Sequence, residues 1–121
     1  MIIDGKKEAL SLRENIKNEI ELIKKRMNKV PSLTVILIGN FPPSEIYVRN
    51  KEKSSKEVGI KSNIIRYSDN VSEQEILRKI QDLNKDDDVS GILVQLPLPN
   101  QINKEKIINL IDPSKDVDGF N

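Results

Sequence analysis

The 121-residue chain contains no histidine and no cysteine. The absence of cysteine excludes disulfide bonds, a cysteine zinc site and a thiol nucleophile. The absence of histidine removes the usual metal ligand and the side chain that most often acts as a general base. Any acid–base chemistry must therefore be carried by lysine, tyrosine, aspartate or glutamate, and we expect no metal site.

An excess of charge of one sign and a long hydrophobic run are also missing. The chain has 20 Lys and Arg residues against 19 Asp and Glu residues, which argues against a nucleic-acid partner. No apolar run approaches the roughly 18 residues of a membrane span, and the start MIIDGKKEAL lacks an apolar secretory segment. We therefore expect a cytoplasmic protein without a membrane partner.

Two common ligand-binding motifs are absent. The five glycines form neither G-x-G-x-x-G nor a phosphate-binding loop. Asp112, Asp116 and Asp118 resemble the start of a calcium loop, but the later ligands are missing, including the terminal glutamate. The sequence therefore predicts neither a nucleotide site nor a calcium site.

Hydrophobic patterns divide the chain into alternating helices and strands. Apolar residues recur at three- and four-residue steps from Ala9 to Met27, which indicates a long amphipathic helix. Further on, Ser44 and Ser72 are expected to cap the starts of helices, and Gly59 is expected to end one. The predicted helices cover 9–27, 44–58, 72–83 and 104–110, and the predicted strands cover 33–39, 60–67 and 88–96.

This order of elements predicts the fold. The run LTVILIG at 33–39 is typical of a central strand that is covered on both faces. Strands that alternate with helices of this length form crossovers between parallel strands. We therefore predict one α/β domain, a three-layer α/β/α sandwich around a small, mainly parallel sheet.

Ligands of such sheets bind in the crevice outside the carboxyl ends of the strands. Three segments meet there: GNFPPSEIYVRNK, QLPLP and KDVDGF. Tyr47 and Lys51 are four residues apart, so their polar ends can point into one crevice, although such spacing more often belongs to a surface lysine beside a half-buried tyrosine. Gln95 ends an apolar strand and is either a site residue or a satisfied glutamine in an edge loop. Leu98–Pro99 is a candidate cis peptide bond.

Long motifs of the chain resemble the bifunctional methylenetetrahydrofolate dehydrogenase/cyclohydrolase family, often called FolD. They are IGNFPPSEIYVRNKEKSSKEVGI, GILVQLPLP and IDPSKDVDGF, in that order, and the opening IIDGK is also similar. The resemblance covers the N-terminal catalytic domain, whose fold is similar to that of amino-acid dehydrogenases. The family continues past DVDGF into a Rossmann domain that holds NADP, so the resemblance implies that the chain is a fragment or single domain and that the full-length enzyme is a homodimer.

The resemblance also implies roles for individual residues. Lys51 corresponds to the catalytic lysine, Tyr47 to the aromatic residue that positions the folate, and Gln95 to the glutamine that hydrogen-bonds the lysine. Asp118 corresponds to the carboxylate that anchors the pterin ring. Ser44 matches the serine of a segment that more commonly ends in Pro-Ala-Ser.

Two neighbouring features complete the implied site. Pro97 and Leu98 of the QLPLP segment are implied to contact the substrate. The sequence departs from the family pattern at Asn40–Ser44, where a second proline stiffens the loop.

The implied activity is oxidation of 5,10-methylenetetrahydrofolate with NADP⁺ and hydrolysis of the methenyl product to 10-formyltetrahydrofolate. Partial burial and a cationic substrate would favour a neutral Lys51, which could then transfer protons. Two alternatives stay open, a folate-binding module without activity and the substrate domain of another two-domain dehydrogenase, such as the shikimate type.

Overall fold

The computed structural model describes residues 5–27 and 30–118. Four α-helices, three β-strands and one 3₁₀ turn alternate along the described chain. In order they are α1 (Gly5–Met27), β1 (Ser32–Ile38), α2 (Pro42–Val58), β2 (Lys61–Tyr67), α3 (Glu73–Lys85), β3 (Gly91–Val94), α4 (Lys104–Leu110) and the 3₁₀ turn Pro113–Lys115. Each predicted element is present, α1 begins four residues earlier than predicted, and α4 has the predicted bounds.

The three strands form one parallel sheet in the order β2-β1-β3. β1 is the central strand, as its hydrophobic run predicted, and Val35 stands opposite Ile64 on one side and Leu93 on the other. β3 is shorter than predicted. Gln95 still donates its N–H to the Ile36 carbonyl at 3.0 Å, but Pro97 has no N–H with which to continue the pairing.

Helices cover both faces of this sheet, which confirms the three-layer sandwich. On one face, the isoleucines and valines of β1 and β3 pack against α3 and α4, with Ile76, Ile80 and Ile107 fully buried. On the other face, Val35, Leu37 and Leu93 pack against Val48 of α2. Burial of these side chains is the main force that holds the layers together.

The predicted signals at helix ends are confirmed at two positions and wrong at one. Gly59 has the left-handed φ of 89° and ends α2, and the hydroxyl of Ser72 accepts the N–H of Glu75 at 3.2 Å. Ser44, however, is not the cap of α2, because the helix begins at Pro42 with Phe41 in the capping position. Phe41 has no side-chain acceptor, so α2 begins without a side-chain cap, and Pro42 suits the first helical position because its missing N–H would be unpaired there.

α1 lies against α2 and is less buried than its amphipathic pattern suggested. Ile20 is buried close to Gly59, whereas Leu12 is 60% exposed and Ile16 is 36% exposed. The side chains of Ala9, Ile23 and Met27, which belong to the same predicted stripe, lie outside the described residues. No helix within residues 5–27 and 30–118 combines the length and apolar character needed to cross a membrane.

Candidate active site

The candidate site lies on the α2 face of the sheet, near the carboxyl ends of β1 and β3. Gly39 follows β1 with a φ of 87°, a left-handed conformation that allows the chain to turn sharply toward α2. α2 then runs back along the sheet, and Lys51 lies at its middle. Gln95 follows β3 directly.

Lys51 and Gln95 are in direct contact. The Lys51 Nζ donates a hydrogen bond of 2.8 Å to the Gln95 Oε1. The lysine is half-buried and the glutamine is only 9% exposed. The ammonium or amine of Lys51 is therefore held at the edge of the sheet and does not extend freely into solvent.

The amide of Gln95 is fixed at both ends. Its Nε2 donates to the Leu96 carbonyl at 3.1 Å, so its Oε1 faces Lys51. The hydroxyl of Ser44 donates to the same Leu96 carbonyl at 3.2 Å, and this serine is 3% exposed. Ser44, predicted as a helix cap, is thus a buried support of the Gln95 segment.

Two adjoining cavities open beside this pair. The larger, of about 330 Å³, lies between α2, the sheet and the segment after the 3₁₀ turn, and the smaller, of about 220 Å³, lies against the end of β3. Lys51 and Asp118 line both of them. The structure therefore brings together three predicted site residues: Lys51, Gln95 and Asp118.

The larger cavity has an apolar floor and a polar rim. Leu33 and Leu93 form the floor, while Asn50 and Ser54 join Lys51 on the rim. The sequence interpretation missed these four residues. A three-residue step from Lys51 to Ser54 places both on one helix face, and this spacing could have indicated the serine. Such a site suits a partly apolar ligand with a few polar groups.

The remaining predicted site residues lie outside the two cavities beside Lys51. Tyr47 is 57% exposed, one helical turn before Lys51, and within the described chain it is not among the residues that line the two cavities. Pro97 and Leu98 line a separate cavity of about 600 Å³, together with Gly39 and Phe41. The cis bond of this loop is Leu96–Pro97, so the sequence-based candidate Leu98–Pro99 was wrong.

Charged groups near the start of α2 form a separate cluster. Glu45 accepts hydrogen bonds from Arg66 of β2 and from Arg49 of its own helix. The bond from Arg66, followed by that from Arg49, holds the pKa of the Glu45 carboxyl below its usual value. Among the residues that the structure describes, no group of three or more acidic side chains is arranged to hold a metal ion.

Comparisons with known proteins place the chain in a family. A family model described as "Tetrahydrofolate dehydrogenase/cyclohydrolase, catalytic domain" matches residues 3–118. The bifunctional protein FolD of Pelagibacter ubique is 58% identical over 120 residues, which are 99% of this chain and 43% of that protein. The chain therefore spans less than half the length of this relative.

Solved structures show the same relationship. The bifunctional FolD enzyme of Campylobacter jejuni has a TM-score of 0.94 and 43% identity, over 98% of this chain and 42% of that one. The Trypanosoma brucei FolD, complexed with NADP and an inhibitor, has a TM-score of 0.88 and 31% identity, over 96% of this chain and 39% of that one. This chain belongs to the tetrahydrofolate dehydrogenase/cyclohydrolase family.

Proposed function

We propose that this chain supplies the folate site and the catalytic lysine of a methylenetetrahydrofolate dehydrogenase/methenyltetrahydrofolate cyclohydrolase. The full activity is oxidation of 5,10-methylenetetrahydrofolate to the methenyl cation and hydrolysis of that cation to 10-formyltetrahydrofolate. The observation that carries this proposal is the contact between Lys51 and Gln95 beside cavities that Asp118 also lines. Family membership disfavours the shikimate-type alternative.

Lys51 is the proton-transfer group of the hydrolysis. As water attacks the amidinium carbon, the neutral amine accepts one proton from that water. The resulting ammonium then donates its proton to a ring nitrogen as the carbon–nitrogen bond breaks, and the hydroxyl proton of the adduct leaves to solvent. Gln95 keeps the amine at the edge of the cavity through the 2.8 Å hydrogen bond.

Asp118 and Tyr47 bind and orient the folate. An ionised Asp118, which lines both cavities, can accept two N–H donors from the edge of the pterin ring. Tyr47, whose ring is exposed one turn before Lys51, can stack on the folate and fix its angle of approach. Pro97 and Leu98 would border the outer part of the substrate from the neighbouring cavity.

NADP is the cofactor of the proposed oxidation. The glycines of this chain form no nucleotide fingerprint, so no part of the cofactor site is assigned to its residues. We assign that site to the second domain of a full-length enzyme, which would act in the cytoplasm as a homodimer. When bound there, NADP⁺ would supply the hydride acceptor for the oxidation.

The hydrolysis step gives a direct test, because it requires no nicotinamide. The 121-residue chain is mixed with 5,10-methenyltetrahydrofolate and the loss of its absorbance is compared with the rate in buffer. We expect a faster rate with the chain, a rate equal to buffer with Lys51→Ala, and nearly unchanged folate affinity in that variant.

Lys53→Ala is the matched control, since this exposed lysine lies two residues further along α2 and points elsewhere. It should hydrolyse the substrate as fast as the unaltered chain. Folate binding without any hydrolysis would support the alternative, a binding module without activity. Absence of both binding and hydrolysis would overturn the proposed function.

A further inference from the structure

Asp118 belongs to the segment 115–118, which is attached to the rest of the fold by contacts at two points. The first is Lys115, whose Nζ donates hydrogen bonds to three backbone carbonyls, those of Leu83, Asn84 and Asp86, at 2.9, 2.9 and 2.8 Å. These carbonyls belong to the last turn of α3 and the residues after it, where the helix dipole favours a cation. Lys115 thereby ties the segment to the helix on the other face of the sheet.

The second point is the edge of β3 that does not pair with β1. Asp116 forms a parallel bridge with Ile92, and the Val117 N–H is directed to the Ile92 carbonyl at 3.5 Å. This pairing carries the chain past the edge of the sheet and onto the α2 face. Val117 and Asp118 then form one wall of the larger cavity.

Gly91 provides the space in which Val117 lies. A Cβ atom at this position would be 2.7 Å from the Val117 Cγ2, too close for any real contact, and 3.4 Å from the Leu33 Cδ1. Gly91 does not have the left-handed φ of Gly39 and Gly59, so it is the absence of a side chain that matters here. An added methyl group would force Val117 to shift, and Asp118 is the next residue along the chain.

We propose that Gly91 and Lys115 are positioning residues for the folate-binding carboxylate of Asp118. Neither lines the two cavities beside Lys51, and both act through the path of residues 115–118. The inference rests on the proposed function, in which Asp118 binds the pterin edge. It predicts that changes at either position weaken folate binding in the same way as a change at Asp118 itself.

The experiment measures the affinity for 5-formyltetrahydrofolate, a stable reduced folate, by titration calorimetry. Loss of charged hydrogen bonds predicts that Asp118→Ala weakens binding by about 10- to 100-fold. We expect Gly91→Ala and Lys115→Met to weaken it in the same direction, while the rate of methenyltetrahydrofolate hydrolysis at saturating substrate stays within about 3-fold. In the Asp118→Ala background, neither second change should weaken binding further.

A compensating change separates positioning from a general loss of structure. Val117→Ala removes the methyl group that an alanine at 91 would strike, and Val117 is 53% exposed, so its truncation removes little core packing. The double variant Gly91→Ala/Val117→Ala should regain most of the folate affinity that Gly91→Ala loses. If Gly91→Ala fails to fold, Lys115→Met and its combination with Asp118→Ala still provide the test.

The outcomes distinguish the two proposals. If Asp118→Ala weakens binding but Gly91→Ala and Lys115→Met do not, or if their effects add to that of Asp118→Ala, the positioning inference is wrong and the proposed function stands. If Asp118→Ala leaves folate affinity unchanged, the assignment of the pterin carboxylate fails, and the inference fails with it.

Discussion

The Nζ of Lys51 donates to the Oε1 of Gln95 at 2.8 Å, which joins the middle of α2 to the residue that follows β3. Because the Nε2 of this glutamine donates to the Leu96 carbonyl, the oxygen stays toward the lysine. A neutral amide oxygen can accept from the amine and from the ammonium form alike. A carboxylate in its place would instead favour the ammonium form and oppose general-base chemistry.

We predict that Gln95→Glu slows the hydrolysis and changes its pH dependence. A carboxylate at hydrogen-bonding distance from the Lys51 Nζ stabilises the protonated amine, so the limb of the pH–rate profile that reports amine deprotonation should move to higher pH. The rate at pH 7 should fall by about 10-fold or more, because less of the amine is neutral at that pH. Initial rates between pH 6 and 9.5 check this prediction.

Gln95→Met is the control for the new charge. It removes the acceptor of the Lys51 hydrogen bond without adding a carboxylate. The rate should therefore fall, while the limb of the pH–rate profile that reports amine deprotonation should not move to higher pH. Identical profiles for the two variants would show that loss of the hydrogen bond, rather than charge, determines the effect.

We predict that the ring of Tyr47, and not its hydroxyl, contributes to folate binding. The side chain is 57% exposed, so a bound folate can cover the face of its ring. The hydroxyl would only exchange a water molecule for a folate group as hydrogen-bond partner, which brings little net gain in binding free energy. Tyr47→Phe should keep the affinity for 5-formyltetrahydrofolate within about 2-fold, and Tyr47→Ala should lower it about 10-fold. Calorimetric titration measures both variants, and a thermal melt of each should show an unchanged midpoint, as expected for a surface position.

Local signals in the sequence were sufficient for most element types and for several of their ends. The continuous apolar run of β1 indicates a strand that is covered on both faces, and β1 is the central strand of the sheet. Gly59 ends α2 because a left-handed residue suits glycine, and Ser72 caps α3 through the N–H three residues later. The two helix-end features depend on neighbours within about four residues.

Features that depend on distant parts of the chain were beyond this kind of prediction. Ser44 has the residue type of a cap, but the two prolines before it start the helix and its hydroxyl binds a carbonyl 52 residues away. Lys115 resembles any surface lysine in the sequence, yet its ammonium binds carbonyls 29 to 32 residues away. The spacing of Tyr47 and Lys51 placed both on one helix, but it could not indicate which of them contacts Gln95.

We predict that Ser44→Ala lowers the hydrolysis rate more than its effect on stability explains. The buried hydroxyl supports the Leu96 carbonyl to which Gln95 also donates, so its loss should loosen the amide that holds Lys51. The expected loss of unfolding free energy is about 0.5 to 1.5 kcal/mol, typical of one hydrogen bond. Urea titration and initial rates are measured on the same preparation.

Ser72→Ala is the matched control for this serine. It removes the cap of α3, which packs on the face of the sheet opposite α2, at a cost of about 1 kcal/mol. Its stability should fall by a similar amount while its hydrolysis rate is unchanged. A similar rate in the two variants would contradict the proposed support of Gln95 by Ser44.

The last prediction concerns acid stability. Asp112 accepts hydrogen bonds from the N–H of Ser114 at 2.9 Å and from its hydroxyl at 2.8 Å, and the first of these is the main reason that the pKa of Asp112 is below its usual value. A depressed pKa in the folded state means that the carboxylate contributes stability above the usual aspartate pKa of about 3.9, and that this contribution is lost as the pH falls further. Asp112→Asn keeps an acceptor oxygen but has no charge to lose, so the unaltered chain should melt at a higher temperature than this variant at about pH 6. The difference in melting temperature should shrink as the pH falls below about 4. Thermal melts at these pH values, with exposed Asp82→Asn as control, decide the point, since a difference that stays constant with pH would exclude a charge effect.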